Sequence, residues 1–126
     1  MKWEKAPDIT REIKKLVKGL SLGHIKAQNL ICFRSNGSSS RARARIWSLP
    51  TVWQQALSIE PHYVIEVLSE KFDHLSVDDK TRVLIHELMH IPRTFSGSLV
   101  PHRGRYHRID GRSVEKLFKQ FQMSKV

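Results

Sequence analysis

Apolar residues recur at helical spacing in three stretches of the chain. Residues 8–20 carry them three or four positions apart and end among glycines, which predicts a first helix. Residues 76–91 open with a Ser-Val-Asp-Asp capping sequence and stop before a proline, which predicts a second helix. Residues 112–122 have an apolar stripe of the same period and predict a C-terminal helix.

Other stretches have the patterns of β-strands. Residues 24–34 alternate roughly, residues 41–47 alternate strictly between arginine and apolar residues, and residues 63–68 are rich in Tyr, Val and Ile. The serine-rich turn at 35–40 predicts that the first two strands form a hairpin. A short helix or an irregular turn is expected at 51–57. The order of elements predicts an α+β fold, with a sheet of about three strands between N-terminal and C-terminal helices.

Composition limits the class of protein. A chain of 126 residues with 40% hydrophobic and 27% charged residues is expected to form one globular domain, residues 1–126. It has neither an apolar run of about 20 residues for a membrane span nor the apolar core of a secretory signal. The single cysteine, Cys32, fits a core position in a reducing compartment, so a cytoplasmic protein is expected.

The charge of the chain is unusual. Lys and Arg exceed Asp and Glu by ten, and the pI is about 10.2. Such an excess attracts polyanions, although a solvated basic surface explains it equally well. The alternating strand would place Arg41, Arg43 and Arg45 on one face, where they can contact nucleic-acid phosphates or simply face water.

The candidate chemistry lies on the second predicted helix, in the sequence His86-Glu87-Leu88-Met89-His90. Residues four apart lie on the same side of a helix, so both imidazoles can bind one metal ion, and zinc is the ion that this motif predicts. The glutamate is turned about 100° from them and can act as the base that activates a water at the metal. The alternative is a pair of buried structural histidines, with Glu87 in a salt bridge.

A catalytic zinc site needs a third protein ligand. His102 is favoured because the loop before it is long enough to turn back, while His107 and Glu115 stay open as alternatives. Arg103, Tyr106 and His107 follow closely and are candidates for stabilising the charge that develops on the peptide carbonyl oxygen.

The stretch HELMHIPRTFSGSLVPH resembles the metallopeptidase family of phages and archaea, in which a HELxHIP helix leads into an FSG loop and a PH dipeptide. The likeness extends over residues 24–122. The resemblance implies a compact, minimal zincin-like domain, with His86, His90 and His102 as the zinc ligands and Glu87 as the catalytic base. In zincins an edge strand pairs with the substrate backbone, and residues 63–68 are either that strand or an inner one.

A more distant likeness is to SprT-like proteases, which cut proteins crosslinked to DNA. His102, Gly104 and Tyr106 are similar to the third-ligand loop of that family, but Arg103 interrupts its His-Gly dipeptide.

The sequence therefore predicts a hydrolase with one Zn²⁺ ion that cleaves protein or peptide substrates. The alternative is a basic nucleic-acid-binding module with a structural or vestigial metal site, or a DNA-stimulated SprT-like protease.

Overall fold

The computed structural model of the chain describes residues 1–104 and 108–125. In this part of the chain, four strands and five α-helices form an α+β arrangement. In chain order the elements are β1 (Lys2–Lys5), α1 (Pro7–Gly19), β2 (Leu30–Asn36), β3 (Ala44–Ser48), α2 (Thr51–Leu57), β4 (Tyr63–Leu68), α3 (Ser69–Phe72), α4 (Val77–Met89) and α5 (Gly111–Ser124).

The strands form one mixed sheet in the order β1-β2-β4-β3. β4 lies inside the sheet, where it runs parallel to β2 and antiparallel to β3. The predicted hairpin is therefore wrong, because β2 and β3 are separated by β4. A physical reason is the sequence YVIEVL of β4, which is the kind of apolar strand that is most stable with a neighbour on each side.

Some strand bounds also differ from those predicted. Residues 24–29 form turns and a short 3₁₀ helix, so β2 starts later than expected, and β3 starts after Arg43. The sheet has four strands rather than about three, because β1 adds to the edge of β2. All of β1 is exposed and its four residues have no apolar alternation, which is why the pattern did not predict it.

Helices cover one face of the sheet. There the buried side chains of β2 and β4 pack against α1, α3, α4 and α5 in a single core, which includes Ile13, Ile65, Phe72, Ile85 and Phe118. Burial of such aliphatic and aromatic side chains is the main stabilising contribution to the fold. Cys32 is part of this core, as predicted. Among the described residues, none of the helices combines the length and apolarity that crossing a bilayer requires.

The other face of the sheet contains a fully buried acid, Glu66 on β4. Its carboxylate accepts two hydrogen bonds from the Arg45 guanidinium, both 3.0 Å long, one from the Trp47 indole at 2.9 Å and one from the Ser35 hydroxyl. Burial alone would raise the pKa of Glu66, but these donors outweigh it, so that its pKa lies below the ordinary value. Glu66 is therefore charged, and the hydrogen bonds to its carboxylate connect β4 to both β2 and β3.

Replacing Glu66 with glutamine is expected to lower the free energy of unfolding by about 1–3 kcal/mol at neutral pH, because the guanidinium loses its charged acceptor. The folded-state pKa of Glu66 is lowered, so its carboxylate stabilises the fold above the ordinary pKa of 4.5, and this stabilisation is lost as the pH falls through the folded-state pKa. Urea unfolding of both proteins, at neutral pH and in steps below pH 4.5, measures the effect. A stability difference that stays constant over the acid range would contradict this role.

Candidate metal centre

Helix α4 presents two histidines and a glutamate at its C-terminal end. Its first turn is capped by the Ser76 hydroxyl, which accepts a hydrogen bond of 3.1 Å from the backbone N–H of Asp79, as the capping sequence predicted. The buried residues Leu84, Ile85 and Leu88 fix the helix against the core. The helix ends at Met89, slightly earlier than predicted, with His90 as its C-cap.

Three imidazoles converge at this end of the helix. The Nε2 atom of His86 lies 3.1 Å from Nε2 of His102 and 3.4 Å from Nε2 of His90. The ligand nitrogens of all three lie within 4.8 Å of one another. Nitrogens bound tetrahedrally to zinc at the usual bond length are about 3.3 Å apart. The spacing of the three Nε2 atoms therefore suits a single ion of this size.

His90 is oriented by the loop that returns from α4. Its Nδ1 donates a hydrogen bond of 2.6 Å to the carbonyl oxygen of Val100, and the Val100 N–H donates one of 2.7 Å to the His90 carbonyl oxygen. A proton on Nδ1 leaves the lone pair of Nε2 free toward the other imidazoles, which is the tautomer that metal-binding histidines adopt. The same two hydrogen bonds hold the loop against the helix end and so help to position His102, which comes shortly after Val100 in the sequence.

A second anchor holds the loop to the sheet. The Tyr63 hydroxyl on β4 accepts a 2.9 Å hydrogen bond from the Gly97 N–H and donates one of 2.8 Å to the Ser98 carbonyl oxygen. Its ring packs edge-on against Phe95 with centroids 5.0 Å apart. This role of Tyr63 was not predicted from the sequence. The signal for it was a tyrosine at the start of an otherwise aliphatic buried strand, since a buried hydroxyl needs partners.

Burial controls the charges at the centre. It raises the pKa of the Glu87 carboxyl to about 7. Burial, together with the neighbouring imidazoles of His90 and His102, lowers the pKa of His86 to about 4. The pKa of His90 is also lowered, mainly by burial. His86 and His90 are therefore neutral near pH 7, in the form that can bind a metal.

A cleft of about 640 Å³ opens beside His86 and Glu87. Arg41 and Arg43, which precede β3, line the same cleft. Arg45 is bound by an ion pair to Glu66 on the open side of the sheet. Arg41 and Arg43 lie outside the strand that was predicted to contain them, and the nucleic-acid contacts suggested for the three arginines stay a prediction.

The other candidate site residues fall into different positions. Glu115 is bound to Arg82 by an ion pair of 2.9 Å and is not part of the histidine cluster. Arg103 is exposed, and its backbone pairs with Arg108 in an isolated bridge. Tyr106 and His107 lie outside the described residues. The transition-state roles suggested for Arg103, Tyr106 and His107 stay predictions.

Comparison with protein families adds to this geometry. The family described as "Putative phage metallopeptidase" matches residues 1–122. The chain belongs to this family. Membership indicates a metallopeptidase, which needs a metal ion and acts on peptide or protein substrates, and the three converging histidines are a group that can hold such an ion.

No protein of curated function and no solved structure significantly matches the chain. The more distant likeness to SprT-like proteases, drawn from the third-ligand loop, is not shown by any of these comparisons and stays a prediction.

Gly97 is a point where the loop tolerates no side chain. Its φ is +97°, and a Cβ there would lie 2.5 Å from the Leu49 carbonyl oxygen. Gly97→Ala is expected to lower the melting temperature by roughly 5 °C or more, since a strained backbone of this kind costs about 1–3 kcal/mol. Thermal unfolding measures this, with Gly23→Ala as the matched control because nothing lies within 4 Å of its added Cβ. Equal melting temperatures for the two variants would show that the loop is not held as described.

Proposed function

We propose that the chain is a zinc-dependent peptidase in which His86, His90 and His102 bind the ion and Glu87 is the general base. The observation that carries the proposal is the convergence of three Nε2 atoms in a chain of a metallopeptidase family, with the buried Glu87 lining the same cleft as His86. Three imidazole ligands with one open position are typical of catalytic zinc sites.

The surroundings of the histidines support a metal rather than a purely structural cluster. His86 and His90 are neutral near pH 7 and have their Nε2 atoms at 3.4 Å, and His90 has its other nitrogen bonded to a backbone carbonyl. Three imidazole nitrogens crowded together without a cation would lose much of their hydration for few hydrogen bonds in return. A divalent ion compensates that loss, and imidazole suits zinc.

Zinc in such a site acts as a Lewis acid that lowers the pKa of a water to about 7 and polarises a carbonyl oxygen. Glu87 then has the role that its position allows. Its carboxylate accepts the proton that a water loses as it attacks the peptide carbonyl carbon, and later returns that proton to the leaving nitrogen. A carboxyl whose pKa is raised to about 7 by burial is well matched to both transfers.

The substrate chain is expected to lie along β3. β4 is an inner strand, so the edge strand beside the cleft is β3, whose Ala44 lines the cleft together with Glu87. The outer edge of β3 has backbone groups that an extended peptide can pair with. This pairing would place a scissile bond over the histidine cluster without using side-chain specificity.

Replacing Glu87 with glutamine is expected to reduce peptide hydrolysis by about 10²- to 10⁴-fold, because the amide cannot accept the proton. The bound metal should remain, since the three imidazoles are unchanged. Hydrolysis of a fluorogenic peptide library and elemental analysis of the purified protein measure the two quantities. Glu12→Gln on the surface of α1 is the matched control. Hydrolysis by the Glu87→Gln variant at the parental rate would exclude this glutamate as the base.

Replacing His102 with alanine is expected to weaken zinc binding by about 100-fold. Four-ligand zinc sites provide about 10–16 kcal/mol, so an equal share for one ligand is about 3 kcal/mol. Competition with a chromophoric chelator measures the affinity, and His74→Ala, at an exposed histidine, is the control. His107→Ala tests the alternative third ligand. If that variant loses zinc and His102→Ala retains it, the ligand assignment is wrong.

A further inference from the structure

The sheet face opposite the core carries a cluster of aromatic side chains from three strands. The ring centroids of Trp3 and Phe33 are 6.1 Å apart, and those of Trp3 and Trp47 are 6.4 Å apart. Trp3 and Trp47 are 44% and 47% exposed. We call Trp3, Phe33 and Trp47 the aromatic platform. Large rings that cluster on one face of a sheet and remain half in water indicate a binding surface rather than a core.

The platform is held in a fixed orientation by the buried Glu66. The Trp47 indole N–H donates a 2.9 Å hydrogen bond to Glu66 Oε1, and the Arg45 guanidinium lies 5.5 Å from the centroid of the Trp47 ring. The indole is therefore fixed through its N–H, while the residue stays about half exposed. A ring ordered in advance loses little conformational entropy when a ligand stacks on it.

Cationic side chains adjoin the platform. Lys5 is the cross-strand neighbour of Phe33. The Arg43 carbonyl oxygen accepts a 3.0 Å hydrogen bond from the Leu68 N–H, which continues the β3–β4 ladder, so strand alternation puts Arg43 on the same face as Arg45 and Trp47. Both cations are exposed, and the Glu66 carboxylate on this face is neutralised by its ion pair. In a chain with a formal net charge of +10, this face therefore favours an anionic ligand.

We propose that the aromatic platform binds single-stranded nucleic acid, with bases stacked on Trp3 and Trp47 and phosphates near Lys5 and Arg43. Stacking on exposed rings in a basic surface suits single strands, because each base has a π-face that a duplex keeps hidden. Arg43 also lines the cleft that contains Glu87, so a bound strand would lie beside the proposed catalytic site. The platform contains none of the proposed metal ligands, so binding should not require zinc.

Fluorescence gives a direct test, because the chain has three tryptophans and the third, Trp53, lies on α2 outside the platform. In a Trp53→Phe background, a short oligothymidylate and the matching oligouridylate are each expected to quench the remaining fluorescence at low salt. A duplex of the same length should quench it much less. The titration is repeated after treatment with a chelator, and binding should persist.

The stacking contribution is measured with Trp3→Ala, since Trp3 is on an edge strand and its removal leaves the Glu66 hydrogen bonds intact. Affinity for a labelled oligomer, followed by anisotropy, is expected to fall about 5- to 100-fold. Trp47→Phe retains an aromatic ring but loses the hydrogen bond to Glu66, and a smaller loss is expected. Trp53→Ala is the matched control and should bind like the parent.

The phosphate contacts are measured through salt dependence. Arg43→Gln and Lys5→Gln should each reduce the slope of log affinity against log salt by about 0.7. Lys14→Gln on α1, at the covered face of the sheet, is the control for charge alone. Three results would overturn the proposal: no binding at low salt, equal losses for Trp3→Ala and Trp53→Ala, or binding to duplex as tight as to single strands.

Discussion

The candidate metal centre depends on one constraint, the return of a loop to the end of the helix that precedes it. A helix places His86 and His90 on the same side without further help, but the third imidazole comes from outside the helix. The two hydrogen bonds between His90 and Val100, 2.6 and 2.7 Å long, provide the return. His90 therefore both contributes an imidazole and positions the segment that carries His102. A change at His90 would therefore disturb two of the three proposed ligands rather than one.

The sheet also holds this loop in position, through a residue far from the histidines in sequence. β4 is the inner strand, and its first residue, Tyr63, bonds to the loop through Gly97 and Ser98. The rest of β4 faces the core on one side and the Glu66 network on the other. The inner strand of the sheet thus holds the loop of the proposed metal site in place. Preorganisation of this kind lets a site hold its ligands close to the required geometry.

Patterns that depend on local spacing were predictable, whereas contacts between distant segments were not. Helices α1, α4 and α5 and strand β4 follow from periodicity and capping, and the pair His86 and His90 follows from the helix. Strand order depends on which strands meet in space, so an apparent hairpin at a serine-rich turn was misleading. The strand that contains Arg45 was predicted, but its ion pair with Glu66 was not, because no local pattern encodes it. The hydrogen bond from His90 to the Val100 carbonyl oxygen was not predicted either, for the same reason.

The two buried glutamates of the fold show how environment separates structural acids from candidate catalytic ones. Glu66 is surrounded by donors, which hold its pKa below the ordinary value and keep it charged and occupied. Glu87 is also buried, but desolvation dominates and raises its pKa to about 7. A carboxylate saturated with hydrogen bonds has no lone pair to offer a water, whereas one poised near neutral pH can take up and release a proton. On this ground the role of general base is proposed for Glu87 rather than for Glu66.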